Sequence, residues 1–204
     1  MNSDPIVPQS TKLLLSTQAR YELDAASEVW HCLYVTGISD QIDVYFIRSK
    51  DRAIGGLIAI VFEGDPIIAV RRIREYLTKK PWILKYTLKI IPVEIVTNSL
   101  EELKQFVRRY AAERIASNDS WKIRISKHAS KAPSRKIIDM LAKEVQTGKV
   151  SLETPDWIIN IEIIRDAYLA AIIRPTDIIR KKEFIEQIEK TKLLEYVKRS
   201  PHNF

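Results

Sequence analysis

Apolar and polar positions along the chain switch between two periods, and each switch marks an element. The run KLLLST at 12–17 predicts a short apolar strand. From 19 to 35 the period lengthens: Ala25, Ala26, Val29, Trp30 and Leu33 recur at helical spacing, with Glu22 and Glu28 outside. QIDVYFIRS (41–49) and GLIAIVFEG (56–64) read as the strands of a hairpin whose turn includes Gly55 and Gly56. Asp65 and Pro66 form a cap and first-turn pair for a helix over 66–78, with Ile68, Val70, Ile73 and Leu77 facing inward. A strand is predicted at 82–88. The order βαββαβ is the ferredoxin-like plan, one sheet with both helices on a single face.

The pattern then begins again. IIPVEIV (90–96) predicts a strand and 98–116 a helix, with Leu103, Phe106, Val107, Tyr110 and Ala111 as its buried stripe and Ser99 with Glu102 as a capping box. Trp121, Ile123 and Ile125 alternate with Lys122, Arg124 and Ser126, which predicts a half-buried strand with one wet, basic face. A loop with Lys127, His128 and Lys131 follows, then a helix with Pro133 in its first turn and Ile137, Ile138, Leu141, Ala142 and Val145 inward, ending near Gly148. The runs at 156–164 and 167–174 predict paired strands joined at Arg165 and Asp166.

A capped helix is predicted over 175–199, with apolar positions Ile178, Phe184, Ile185 and Ile188, then Leu193, Leu194 and Val197, interrupted at Thr191 and Lys192. It can pack back on the first domain or dock a partner protein. The fold class is therefore α/β (α+β). The expected division is a disordered start at 1–10, a ferredoxin-like domain at 11–88, a second α/β domain at 89–175, and a helix and tail at 176–204.

Charge changes this picture more than composition does. The formal net charge is +7, yet the segment 121–143 alone holds seven basic residues against Asp139, a local balance of +6. Such a concentration either forms a solvated face or makes a field that attracts polyanions. One cysteine, Cys32, excludes an internal disulfide, and no Cys/His spacing suits zinc. The start lacks the regions of a signal peptide and no apolar run is long enough for a membrane span, so a soluble cytoplasmic protein with no membrane contact is expected.

Catalytic chemistry is not apparent in the motifs. There is no Walker-type loop, no Gly-x-Gly-x-x-Gly loop and no metal-ligand set, so no catalytic residue, metal or cofactor is predicted. His31 and Cys32 are adjacent on a helix and point to different faces. His202 lies in the tail, and His128 has no nearby carboxylate in sequence to orient its ring, so contact with phosphate or a base suits it better than general-base work.

With these motifs in place, 90–175 resembles a THUMP domain, an RNA-binding module of tRNA-modification systems. The likeness is carried by IIPVEIV before a long helix, by WKIRISKH before PSRKII, and by GKVSLETPDWIINIEIIRDAYLAAI, whose VSLETPD has Ser151 and Thr154 where the family pattern has Asp and Asn. A preceding ferredoxin-like domain is usual in that family. With no thiouridylase loop or methyltransferase domain following, the chain resembles the stand-alone members that act as tRNA adapters for a separate cytidine acetyltransferase making 4-acetylcytidine. The resemblance implies a protein that is not an enzyme and that grips the tRNA acceptor stem and 3′ CCA end. The binding residues expected are Lys122, Arg124, Lys127, His128, Lys131, Arg135 and Lys136, with Arg124 forking onto a phosphate and the helix start adding its dipole. Trp121 is expected in the core, and Pro155 with Asp156 in a turn. A generic RNA-binding module and a modification enzyme with an unrecognised site are the alternatives.

Overall fold

The computed structural model describes residues 6–48 and 54–199, with side chains described as far as residue 190. Strands β1 (Leu13–Ser16), β2 (Ile42–Ile47), β3 (Leu57–Phe62) and β4 (Lys89–Pro92) form an antiparallel sheet in the order β4-β1-β3-β2, extended beyond β4 by β10 (Ile179–Arg180). One face carries helices α1 (Glu22–Val35) and α2 (Pro66–Lys79), which pack Val29, Leu33, Ile73 and Leu77 on Leu13, Leu15, Ile58 and Ile60. This is the predicted ferredoxin-like arrangement.

The second sheet has the order β5-β9-β8-β6-β7, made of β5 (Ile95–Thr97), β6 (Ser120–His128), β7 (Lys149–Val150), β8 (Trp157–Ile164) and β9 (Ala167–Ile173). Strand β6 runs parallel to both β8 and β7, while β9 is antiparallel to β8 and β5. Helices α3 (Leu100–Arg114) and α4 (Ser134–Ala142) cover one face with Leu103, Val107, Ile137 and Leu141. The opposite face, with Ile158, Leu169, Ala171 and Ile173, packs against Leu14, Leu57, Ala59 and Ile91 of the first sheet. The layers are thus helix, sheet, sheet, helix. Continuous apolar runs such as LLL in β1 and LIAIVF in β3 suit strands buried on both sides.

Several expectations are corrected. The segment 82–88 is not a strand: Pro81–Ile83 is a 3-10 turn and Trp82 is 64% exposed. The Glu28 carboxylate accepts the N–H groups of Lys85, Tyr86 and Thr87, taking the donors a strand ladder would need. The fourth strand is instead β4, so IIPVEIV is split between the two sheets. Val93 N–H still bonds Lys12 of the first unit, while Glu94 N–H bonds Ala170 of the second, so the crossing falls between them and not at 88. Ile68 is 50% exposed because the buried phase of α2 runs through Pro66, Ala69, Val70, Ile73 and Leu77. Of the ten residues expected to be disordered, 1–5 lie outside the described residues, and Val7 is buried between the sheets.

The C-terminal segment is not a single helix from 175. Pro175–Asp177 is a 3-10 turn, β10 returns to the first sheet, and α5 (Lys181–Arg199) begins only afterwards. Arg71 forks onto Asp177, and Arg74 donates to the Thr176 and Ile178 carbonyls and to Glu183. Phe184 is buried in the first core, so the start of α5 packs on the first unit. The side chains of Leu193, Leu194 and Val197 lie outside the described residues, as does His202.

The caps follow the chemistry of their residues. Asp65 accepts from Ile67 N–H and Ile68 N–H at 2.7 and 2.9 Å. At α3 the Ser99 hydroxyl accepts from Glu102 N–H, but Glu102 does not return the bond to Ser99 directly. Its carboxylate accepts from the Thr97 hydroxyl, whose oxygen accepts from Ser99 N–H, so the box closes through an intermediate residue. Gly56 stands at φ +71°, where an added Cβ would lie 2.2 Å from the Thr17 carbonyl oxygen. Gly56→Ala is expected to destabilise the fold by about 2 kcal/mol, read as a lower urea midpoint, because both the left-handed backbone and the close approach penalise it.

Candidate nucleic-acid interface

Strand β6 owes its position to two parallel neighbours. Trp121 lies beside Trp157 and His128 beside Ile164 in the register with β8. Trp121 is buried as expected and donates its indole N–H to the Thr147 carbonyl, while Asp156 accepts from both the backbone and the hydroxyl of Ser120. Hydrogen bonds to Ser120 hold the Asp156 carboxyl below its ordinary range.

The even-numbered face of β6 is not a freely wet surface. It looks toward the first sheet, and its cations are engaged by β8 and by the loop that precedes it. Glu162 of β8, 1% exposed, receives His128 Nε2–H at 3.0 Å and Lys89 Nζ at 3.4 Å, with Arg124 Nη2 at 4.0 Å. Arg124 Nε donates to buried Asn160, and its Nη2 is buried without a hydrogen-bond partner. Lys122 Nζ donates to the Leu152 carbonyl. The expected fork of Arg124 onto a phosphate is therefore corrected: its guanidinium serves the layer between the sheets. His128 does have an orienting carboxylate, supplied from 34 residues away.

The electrostatics of this cluster follow from burial and pairing. Burial pushes the Glu162 carboxyl up, but the His128 hydrogen bond and the charges of Lys89, His128 and Arg124 outweigh it and hold the group below its ordinary range. Lys89 is lowered by burial, with the charges of Arg124 and Arg180 adding to the effect. Arg124 is lowered by burial and by Arg180. The polar pair Asn160 and Glu162 inside the apolar run WIINIEII was the available sequence signal, since buried polar groups require partners.

Four of the predicted cations do come together in the open. Lys127, next to last in β6, lies on its other face and reaches the Ala132 carbonyl, and Lys131, Arg135 and Lys136 follow in the loop and first turn of α4. Lys127 lies on the strand and not in the loop. Arg135 is paired with Asp139 at 3.3 Å but its side chain is 89% exposed. Pro133 precedes α4 without a side-chain cap, leaving backbone N–H groups directed at the same region. Cationic side chains beside an uncapped helix start are groups chemically suited to phosphate.

Other candidates stay apart. Cys32 is buried and pushed up to about 12 by burial, with the Glu28 charge adding to it, whereas exposed His31 meets the Tyr76 hydroxyl. Among the described residues no three His, Cys, Asp or Glu side chains are grouped as metal ligands, and no helix is long and apolar enough to cross a membrane.

The family model of the THUMP domain matches residues 97–171, a span that runs from the end of β5 to within β9 and includes the whole basic surface. This segment is a THUMP domain. Such a domain points to RNA binding in tRNA modification. No curated protein matches the sequence. Among solved structures, the chain is similar to PH1313 from Pyrococcus horikoshii Ot3, at 15% identity and a TM-score of 0.55 over 80% of this chain and 55% of that one. It is also similar to a 4-thiouridine synthetase solved with RNA and ATP, at 15% identity and a TM-score of 0.50 over 80% of this chain and 41% of that one. The chain thus spans about half the length of these structures, and the likeness is one of fold. It nevertheless overturns the expectation that the protein is not an enzyme: the tandem fold occurs within a 4-thiouridine synthetase, so a missing nucleotide loop does not set the chain apart from enzymes.

Proposed function

We propose that the protein binds tRNA through the end of β6 and the start of α4, grips the acceptor stem and 3′ CCA end, and presents the tRNA to a separate cytidine acetyltransferase for 4-acetylcytidine formation. The observation that carries the binding step is the set of exposed cations Lys127, Lys131, Arg135 and Lys136 inside the THUMP domain, beside an uncapped helix start. On this reading Arg124 and His128 tie β6 to β8, and Lys122 ties it to the loop that precedes β8. Phosphate contacts fix position but do not select among RNAs, so selectivity comes from the shape of the stem and its unpaired end.

The test compares one tRNA with and without its CCA end, at two salt concentrations, for the wild type and Lys127→Ala. Trimming and mutation are each expected to weaken binding, with trimming having little further effect in the variant. Equal binding of intact and trimmed tRNA would exclude end recognition and leave generic RNA binding. The presenting role is read by adding the protein to an acetyltransferase and tRNA, where 4-acetylcytidine is expected to rise. Modification by the purified protein alone would favour the second reading, suggested by the fold shared with 4-thiouridine synthetase, that chemistry resides in this polypeptide.

A further inference from the structure

A second cationic region lies away from the β6–α4 surface, where the chain returns to the first sheet. An open cavity of about 420 Å³ is lined by Lys89, Arg180, Lys181 and Lys182, with Leu88 and Ile185 as apolar walls and no carboxylate in its lining. That volume is within the range of sites that take a nucleotide-sized group.

Three features show that the positive charge here is in excess. Arg180, Lys181 and Lys182 stand immediately before and within the first turn of α5, where the helix dipole disfavours cations. The available acids are already shared: Glu183 serves both Arg74 and Arg180, and Glu162 serves Lys89, His128 and Arg124. Arg180 bears on both Lys89 and Arg124, lowering each, and Lys182 has no ion pair among the described residues. An arrangement of like charges around an open cavity is relieved by an anion.

The position of the cavity indicates which anion. A smaller cavity of about 80 Å³, lined in part by Ser126, His128 and Glu162, shares Ser16 and Lys89 with the larger one. Ser126 and His128 lie on the face of β6 that looks toward the first sheet, so the two cavities meet along the layer between the sheets, at the strand whose other face carries Lys127. No aromatic side chain lines the larger cavity, which suits backbone contact and not base stacking.

We infer that this cavity is a second phosphate subsite, which takes the sugar–phosphate backbone of an RNA strand whose neighbouring segment lies on the β6–α4 surface. The inference rests on the RNA-binding reading above and extends it to the first unit. Phosphates engage the cations, and ribose carbons lie against Leu88 and Ile185. The returning segment, anchored by Arg71 and Arg74, thereby gives the ferredoxin-like unit a direct part in holding RNA.

The experiment uses the full chain and an intact tRNA, with Lys182→Glu removing an exposed unpaired cation and Ile185→Glu placing a carboxylate in the cavity at a partly exposed position. Arg72→Glu on α2 supplies the same charge change as Lys182→Glu elsewhere, and Lys127→Ala reports on the first surface. Both cavity variants are expected to bind at least about fivefold more weakly at 0.15 M salt, and Lys182→Glu to show a salt slope shallower by about 0.7. Arg72→Glu is expected to stay within about twofold of the wild type. If the cavity variants bind like the wild type while Lys127→Ala is weakened, the subsite is wrong and the RNA-binding reading stands. If the wild type binds no RNA, both fail together. Thermal stabilisation by inorganic phosphate that Lys182→Glu abolishes, with RNA binding unchanged, would assign the cavity to free phosphate and overturn the RNA assignment.

Discussion

Glu162→Gln is expected to destabilise the fold by about 3 kcal/mol, because it leaves half-buried cationic partners facing a neutral amide. The native carboxylate is almost completely buried and meets His128, Lys89 and Arg124 in the layer where the two sheets pack. Gln keeps the shape and one acceptor oxygen but not the charge, so the desolvation of its partners is no longer offset. For a chain of this size the loss corresponds to a fall of roughly 10 °C in Tm, which thermal unfolding at neutral pH measures. The sign of the pH dependence follows from the depressed Glu162 carboxyl. A group lowered by folding contributes stability that is fully present above its unfolded pKa and is lost as pH falls through its folded pKa. Wild type and Glu162→Gln should therefore differ most near neutrality and converge below the ordinary carboxylate range. A constant difference down to low pH would show that the variant loses packing and not an ion pair.

The same cluster explains what could and could not be read from the sequence. Alternation in WKIRIS correctly marked a strand and put Trp121 in the core, since period alone decides which residues share a face. It could not say what lies opposite the polar face. The answer depends on β8 and β4, whose Glu162 and Lys89 are distant in sequence from β6. Local charge alone therefore groups Lys122, Arg124 and His128 with Lys127 and Lys131, although a strand must place Lys127 on the opposite side from its neighbours.

Elsewhere local chemistry was overridden by tertiary partners. IIPVEIV has the composition of one strand, but Lys12 and Ala170 capture successive N–H groups from different sheets and divide it. The segment around Trp82 has strand composition too, and Glu28 consumes its backbone donors. By contrast, the Asp65 cap and the Arg165–Asp166 turn depend on neighbours within a few residues, and both are found as read. The ferredoxin-like order was legible for a related reason, as it needs only the sequence of periods and the hairpin, whereas the stacking of two sheets had to be seen.

Replacing Lys127, Lys131, Arg135 and Lys136 together by Ala is expected to reduce tRNA affinity by about 100-fold or more at 0.15 M salt, while leaving the fold intact. The second half of that expectation comes from exposure: the four side chains project from the end of β6, the following loop and the first turn of α4, and among the described residues their only ion pair is the solvent-exposed contact with Asp139. Surface pairs of that kind contribute little to stability. The first half comes from counterion release. If each cation neutralises one phosphate, four contacts account for about 3 units of slope in a plot of log affinity against log salt. The variant should therefore lose affinity most at low salt and approach the wild type as salt rises. Its own slope should be shallower by that amount. A uniform loss at every salt concentration would mean instead that the substitutions disturb the shape of the surface, and a slope that hardly changes would move the principal phosphate contacts to other residues. Because Lys122, Arg124 and His128 are held by Leu152, Asn160 and Glu162, their substitution should act differently, through stability first and affinity second. Measuring unfolding and RNA binding on the two sets separates cations that hold the protein together from cations that hold its ligand.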